Sequence, residues 1–265
     1  MKSKILDING KEKGSIDLPC AFSVTIRKDM IAKVLEAKKR EQPFGPSPVA
    51  GNQHSASGVL IRRRHVWKSG YGKGASRVPR KVMSNKGSQF NLTGATSPNT
   101  VGGRRAHGPK VVSRINILKI NKKEMVVALK SALSATANGK EIAKRYARLE
   151  GEKIENVPFV VESKFTGMKT KDLISSLKKV LGEKLFSVAI PKKSVRAGQG
   201  KKRGRKYKKN AGVLIVIGPK EKIKTNAVEI VSVGSLGVTD LARGGPGRLT
   251  IYTEEAIKTL GEKFK

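Results

Sequence analysis

The residue types that carry out catalysis or hold metals are scarce in this chain and poorly placed for such chemistry. Its 265 residues include three histidines, His54, His65 and His107, and one cysteine, Cys20. No cysteine or acidic residue stands near a histidine at metal-ligand spacing. A lone cysteine also excludes an intrachain disulfide and suits a reducing compartment. The sequence therefore predicts no catalytic residue, no metal and no cofactor.

A short segment combines guanidinium groups with flat aromatic rings. Arg62, Arg63 and Arg64 are followed closely by Trp67 and Tyr71. Guanidinium groups pair with phosphates and stack on bases, and aromatic rings are stacking platforms for unpaired bases. This combination predicts contact with RNA.

The glycine-rich segment 70–74, Gly-Tyr-Gly-Lys-Gly, is similar to part of a phosphate-binding loop. It neither follows a predicted strand nor opens a predicted helix, so the context of a nucleotide-binding fold is missing. Close approach of the backbone to RNA phosphates is the better interpretation, because glycine has no side chain to hold a phosphate away.

The distribution of charge also indicates a polyanionic partner. The formal net charge is +36, and residues 42–123 carry 16 Lys and Arg without a single acid. Residues 184–220 are acid-free as well. Segments this basic and this poor in apolar periodicity cannot form a core of their own. No apolar run approaches the ~18–20 residues of a membrane-spanning helix, so RNA is expected as the partner and a membrane is not.

Strand and helix patterns alternate through the rest of the chain. Residues 4–26 alternate apolar and polar, which is typical of one or two strands. Strands are predicted at 159–161, 185–190, 213–217, 228–233 and 249–252. Helices are predicted at 29–40, from 121 to about 136, at 141–148, at 170–182 and from 253 onward. The link 218–227 is short for a parallel connection, so a short helix or an irregular link is expected there.

This alternation predicts an α/β fold with a mainly parallel sheet flanked by helices. A long extended basic loop is inserted near the N-terminus, and a second basic loop follows later. The predicted globular domain comprises residues 1–42 and 112–265, the long loop 43–111 and the second loop 192–210.

Ten short segments, in order along nearly the whole chain, carry a family resemblance. They lie at 42–45, 50–51, 55–56, 72–74, 76–80, 102–107, 114, 131–136, 238–241 and 246–249. In these segments the chain resembles large-subunit ribosomal proteins of the L4 family, in its archaeal and eukaryotic branch.

The resemblance implies a structural constituent of the large ribosomal subunit, located in the cytoplasm, with no enzymatic activity. The implied partners are large-subunit rRNA, neighbouring large-subunit proteins and the nascent peptide. The long loop would penetrate the rRNA, and its tip would line the peptide exit tunnel.

Specific residues follow from the basic segments and from the resemblance. The residues predicted to bind rRNA are Arg62, Arg63, Arg64, His65, Trp67, Lys68, Tyr71, Gly72, Lys73, Arg77, Arg80, Lys81, Arg104, Arg105, His107, Lys110, Arg114, Arg196, Lys201, Lys202, Arg203, Arg205, Lys206, Lys208 and Lys209. The residues predicted to form the tunnel tip are Arg77, Val78, Pro79, Arg80, Lys81, Asn85 and Lys86.

Two other functional classes remain open at the level of sequence. An RNA chaperone or RNA-processing factor acting off the ribosome would bind the same partner, but processing chemistry needs clustered acids, metal ligands or a nucleophile–base pair. An architectural DNA-binding protein would favour repeated short basic motifs and a dimer interface. Neither set of features is evident near the basic segments.

Overall fold

The computed structural model describes residues 1–40, 63–67, 69–87, 89–95, 97–101, 103 and 118–264. The chain divides into two units, one made of Met1–Lys39 and Lys119–Lys265, the other of Arg40–Leu118. Among the described residues, no helix has both the length and the apolar character needed to cross a membrane.

Ten strands and six helices are present in the described residues. The strands are β1 (Lys2–Leu6), β2 (Glu12–Asp17), β3 (Arg80–Lys86), β4 (Gln89–Gly94), β5 (Phe159–Val161), β6 (Lys193–Val195), β7 (Tyr207–Lys209), β8 (Leu214–Ile217), β9 (Glu229–Ser232) and β10 (Thr250–Thr253). The helices are α1 (Lys28–Arg40), α2 (Lys122–Thr136), α3 (Gly139–Arg145), α4 (Thr170–Ala189), α5 (Val238–Leu241) and α6 (Glu254–Lys263).

A six-stranded sheet forms the centre of the larger unit, in the order β2-β1-β5-β10-β8-β9. Strands β1 and β2 pair antiparallel, and the other four neighbouring pairs are parallel. The predicted α/β fold with a mainly parallel sheet flanked by helices is confirmed. The alternation at the N-terminus becomes the β1–β2 hairpin, which places one antiparallel strand at the edge of the sheet.

Helices pack on both faces of the sheet because its central strands are apolar on both sides. On one face, Val160, Val216 and Tyr252 contact helices α1, α2 and α6. On the other face, alternate residues such as Val161 and Ile215 contact helix α4. Burial on both faces is the pattern expected of parallel strands.

The prediction of a strand at 185–190 is wrong, because helix α4 continues to Ala189. Gly182 interrupts the helix with φ 74° and ψ 169°, a conformation that essentially only glycine adopts. The chain then resumes helical geometry, with Leu185 and Ala189 four residues apart on the side that faces the apolar cluster. The predicted helix 141–148 also ends earlier, at Arg145, and a short 3-10 turn, Ala147–Leu149, follows it.

The short link between β8 and β9 is irregular. Gly218 N donates to Glu221 Oε2 at 2.8 Å, and Thr253 Oγ1 donates to the same oxygen at 2.5 Å. The Glu221 carboxylate therefore connects the link to the end of the neighbouring strand β10. A longer crossover would have used a helix instead.

Candidate nucleic-acid interface

Two arginines lie against one tyrosine ring in the smaller unit. The guanidinium carbon of Arg64 is 5.4 Å from the centroid of the Tyr71 ring, and that of Arg77 is 5.1 Å from it. We call these three residues the arginine–tyrosine cluster. Ser69 holds the turn together, since its hydroxyl donates to Arg63 O at 2.6 Å and accepts from Tyr71 N at 3.2 Å. The cluster brings together side chains that lie up to 13 positions apart in the sequence.

An open groove of about 720 Å³ lies beside the arginine–tyrosine cluster. The groove is also lined by His65, Trp67 and Lys73. Trp67 is 65% exposed. Gly72 has φ 72°, a left-handed conformation that favours glycine, and a Cβ there would meet no atom within 4 Å. The groove thus offers cations, aromatic edges and an uncovered stretch of backbone, which are the groups that contact phosphates and unpaired bases.

Strands β3 and β4 form a hairpin that we call the long hairpin. Arg80 is paired with Gly94 at its base, and Lys86 with Gln89 beside the turn at Gly87, which has φ 57°. The predicted tip residues are therefore spread from the segment before the hairpin to its turn. Arg77, Val78 and Pro79 precede the base of the hairpin. Asn85 and Lys86 lie next to the turn.

Arg80 is held at the base of the long hairpin. Its Nη2 donates to Ser76 Oγ at 2.8 Å and to Ser76 O at 3.2 Å. Ala95 N donates to Pro79 O at 2.8 Å, which extends the pairing by one residue beyond the strands.

The second predicted loop is built as an ordered hairpin, β6–β7, which we call the basic hairpin. Arg196 N donates to Lys206 O at 2.8 Å, and Arg196 Nε donates to Arg205 O at 3.1 Å, so the pairing continues past the strands. Lys201 and Lys202 lie at its far end, in a 3-10 turn. The other predicted RNA contacts of this hairpin are Arg203, Lys208 and Lys209, all exposed.

The cations of the basic hairpin have no acidic partner among the residues that the structure describes. Of the ion pairs found in the described part of the protein, none uses a Lys or Arg between positions 192 and 209. Cations elsewhere in the larger unit commonly have acidic partners, as in the pairs Lys33–Glu124 and Lys258–Glu254. An array of unpaired cations on a projecting hairpin can bind a polyanion without first breaking internal contacts.

Seven of the predicted RNA contacts lie outside the described residues. They are Arg62, Lys68, Arg104, Arg105, His107, Lys110 and Arg114.

Sequence reasoning missed a second role for arginine, inside the larger unit. Arg248 is 0% exposed and donates to Asp240 O at 2.7 Å, Ala211 O at 2.8 Å and Gly212 O at 3.3 Å. It also pairs with Glu229 at 2.7 Å. No local signal marks this role, because two of its carbonyl acceptors lie 36 and 37 positions away in the sequence.

Glu229 is the carboxylate shared by two arginines. Arg243 Nη1 lies 3.1 Å from its Oε1, in addition to the pair with Arg248. Burial alone raises the pKa of Glu229, but the hydrogen bond and charge of Arg248, with those of Arg243, outweigh it and leave the pKa below its ordinary value. The acid is thus ionised and neutralised at physiological pH.

No group of three or more His, Cys, Asp or Glu within the described ranges could hold a metal ion. The larger unit thus combines a mainly parallel α/β sheet with an exposed basic hairpin, an arrangement that suits a structural nucleic-acid-binding protein.

Comparisons with known proteins identify the family. A family model described as "Ribosomal protein L4/L1 family" matches residues 16–263. The chain is similar to the large ribosomal subunit protein uL4 of Methanococcus vannielii, with 36% identity over 273 residues and 100% of both chains covered. It is also similar to the uL4 proteins of Archaeoglobus fulgidus, at 38% identity with 99% of each covered, and of Methanococcoides burtonii, at 39% identity with 99% of this chain and 98% of the relative covered.

The chain belongs to the ribosomal protein L4/L1 family. The resemblance recognised in the sequence is confirmed, and the protein is a ribosomal protein, not an enzyme.

Proposed function

We propose that this protein is a structural constituent of the large ribosomal subunit that binds its rRNA and contributes to the wall of the peptide exit tunnel. The observation that carries the proposal is the full-length similarity to large-subunit proteins, combined with two long basic segments, 42–123 and 184–220, that contain no acid. Its partners are large-subunit rRNA, neighbouring ribosomal proteins and the nascent peptide, and its location is the cytoplasmic ribosome.

The binding mechanism is the replacement of counterions between RNA helices by Lys and Arg side chains. Each phosphate contact releases condensed counterions, which makes the affinity depend steeply on salt. The basic hairpin supplies such cations on a narrow two-stranded support. The arginine–tyrosine cluster adds guanidinium planes and an aromatic ring, which suit splayed, unpaired bases.

The tunnel role is assigned to the long hairpin. A two-stranded ribbon is narrow enough to pass between RNA helices, and this one ends in a turn at Gly87. Lys86 beside that turn and Lys81 further back along β3 place positive charge along the ribbon.

The proposal predicts that neutralising the arginine–tyrosine cluster and its neighbour flattens the salt dependence of RNA binding. Replacing Arg63, Arg64 and Arg77 with Gln should reduce the slope of log K against log salt by about 2–3 units, because each lost phosphate contact removes ~0.7–0.9. The measurement is a filter-binding titration with large-subunit rRNA between roughly 50 and 200 mM salt.

The matched control neutralises cations that already have acidic partners. Lys33 and Lys258 pair with Glu124 and Glu254, both at 2.8 Å or less. Replacing both lysines with Gln should leave the slope unchanged. An equal slope for the triple arginine variant and the wild type would contradict the proposed contacts.

A further inference from the structure

The two faces of the basic hairpin carry different chemistry. Val195 pairs directly with Tyr207, and Lys193 pairs with Lys209, so these four side chains share one face. The opposite face carries Ser194 and Lys208.

The first of these faces combines exposed apolar surface with positive charge. Val195 is 56% exposed and Tyr207 47% exposed. Lys193 Nζ is 3.8 Å from the centroid of the Tyr207 ring, and Lys206 Nζ is 5.5 Å from it. An aromatic ring exposed on a cationic hairpin matches the requirement for stacking a base whose phosphates are held nearby.

A groove continues from this face toward the amino end of the sheet. It has a volume of about 920 Å³ and is lined by Lys193, Lys209, Asn226, Arg243 and Glu229, among others. Small-molecule sites occupy about 300–1,000 Å³, so a nucleotide-sized group fits. The acid in the groove is Glu229, which Arg243 and Arg248 already neutralise, so the groove presents a net positive charge.

The residues at which the basic hairpin begins and ends are fixed to the core. The groove is therefore formed before a ligand binds. Asn210 accepts from Lys192 N at 2.7 Å and donates to Val188 O at 3.2 Å. Gly212, with φ 66°, lies so close to Ala189 O that a Cβ there would approach it to 2.7 Å. A pre-formed site loses less conformational entropy when it binds a ligand.

We infer that Tyr207 and the adjoining groove form a binding site for an unpaired RNA nucleotide, with the base stacked on Tyr207 and its phosphate held by Lys193 and Lys209. This inference rests on the proposed rRNA-binding function. Base stacking on an aromatic side chain contributes about 5- to 150-fold in affinity, whereas an exposed cation–π contact contributes about 2- to 5-fold. The base therefore displaces the Lys193 ammonium from the ring, and the ammonium turns to the phosphate.

The test compares two RNA hairpins that differ only in a single bulged nucleotide, using the full chain at about 0.2 M salt, where non-specific charge contacts are weakened. The wild type should bind the bulged RNA at least about 5-fold more tightly than the fully paired one. Tyr207→Phe keeps a flat ring and should retain this preference. Tyr207→Leu keeps the apolar contact with Val195 but has no ring plane, and should lose it.

A charge control separates stacking from phosphate binding. Lys201→Gln with Lys202→Gln should weaken binding of both RNAs by the same factor and leave the preference intact. A wild type without a preference, or a Tyr207→Leu variant that keeps it, overturns the stacking site but leaves the proposed function standing. Failure of the wild type to bind either RNA in a salt-dependent way would overturn the proposed function itself.

Discussion

At the scale of the residue, the role of an arginine here depends on what its guanidinium group faces. Arg64 lies against an exposed ring in a groove, whereas Arg248 is 0% exposed among backbone carbonyls. A buried guanidinium requires several acceptors, because an unpaired buried charge is costly. Arg248 has three carbonyl acceptors and one carboxylate, so its function is to hold β10 to the 211–212 turn and to Asp240.

Replacing Arg248 with Met should destabilise the protein by about 3–5 kcal/mol, because the change removes one partner of a buried pair and leaves its carbonyl acceptors unsatisfied. The measurement is urea denaturation at neutral pH. Arg203→Met, on the exposed basic hairpin, is the matched control and should leave the free energy of unfolding within about 0.5 kcal/mol of the wild type. Equal effects of the two changes would contradict the structural role of Arg248.

The depressed pKa of Glu229 predicts a pH-dependent contribution to stability. Its stabilisation is fully present above the unfolded pKa near 4.5 and is lost as the pH falls through the lower folded value. Glu229→Gln removes this contribution. The difference in unfolding free energy between wild type and variant should therefore be constant from pH 7 to about 5 and shrink below about 4.5. A difference that stays constant down to about pH 3 would show that the ionised carboxylate contributes nothing.

Charge and aromaticity coincide in the segment 62–71, and this pattern predicts contact with RNA. The described part of the segment brings Arg64 and Tyr71 together. Arg248 was missed because composition cannot distinguish an arginine that contacts solvent from one that contacts carbonyls. That distinction depends on contacts with residues 36 and 37 positions away, which no local pattern encodes.

At the scale of the element, strands of apolar residues were easier to predict than strands of polar ones. The runs around β5, β8, β9 and β10 were recognised because their burial requires apolar side chains. The apolar run 185–190 predicts a strand for the same reason, although apolar spacing at 185, 188 and 189 also suits a helix face. The glycine signal predicts a helix end at Gly182, whereas the structure has an interruption there, after which helical geometry continues to Ala189.

The long hairpin and the basic hairpin could not be predicted from periodicity. Strands β3, β6 and β7 consist mostly of Lys, Arg, Ser and Asn, and alternation is informative only when one face is buried. Their pairing is set locally by turns, such as the one at Gly87. Hairpins of this kind can therefore be recognised only from the three-dimensional structure.

Shortening the long hairpin should change the exit tunnel without preventing assembly. Lys81 and Thr93 are cross-strand partners, so an Asn-Gly turn joining them replaces residues 82–92 without altering the base of the ribbon. Subunit incorporation should persist, because the basic hairpin and the arginine–tyrosine cluster remain. Sensitivity to tunnel-binding drugs, or stalling by tunnel-sensing peptides, should change.

A matched truncation of the basic hairpin controls for the loss of a projection. Joining Val195 to Tyr207, also cross-strand partners, through the same Asn-Gly turn replaces residues 196–206. This variant should leave tunnel responses unaltered. The tunnel assignment is wrong if the shortened long hairpin fails to enter subunits, or enters them with unchanged tunnel responses.

At the scale of the whole molecule, 56 Lys and Arg stand against 20 acids, and the two groups are distributed unevenly along the chain. All 20 acids lie outside residues 42–123 and 184–220, and many of them pair with cations around the sheet. The folded α/β unit is thereby relieved of part of the self-repulsion, while the basic segments remain available for RNA. Fold and charge distribution together are consistent with a protein that is completed by its RNA partner.

The most direct test is whether the full chain, tagged and expressed in its own cells, sediments with large ribosomal subunits at about 1 M salt. At that ionic strength the Debye length is ~3 Å, so loosely attached basic proteins are released while contacts enclosed between RNA helices persist. A basic protein foreign to the ribosome, added to the same lysate, serves as the control and should be washed away. We predict that the chain stays in the large-subunit peak. Its release together with the control protein would contradict its assignment as an integral, RNA-enclosed component of the subunit.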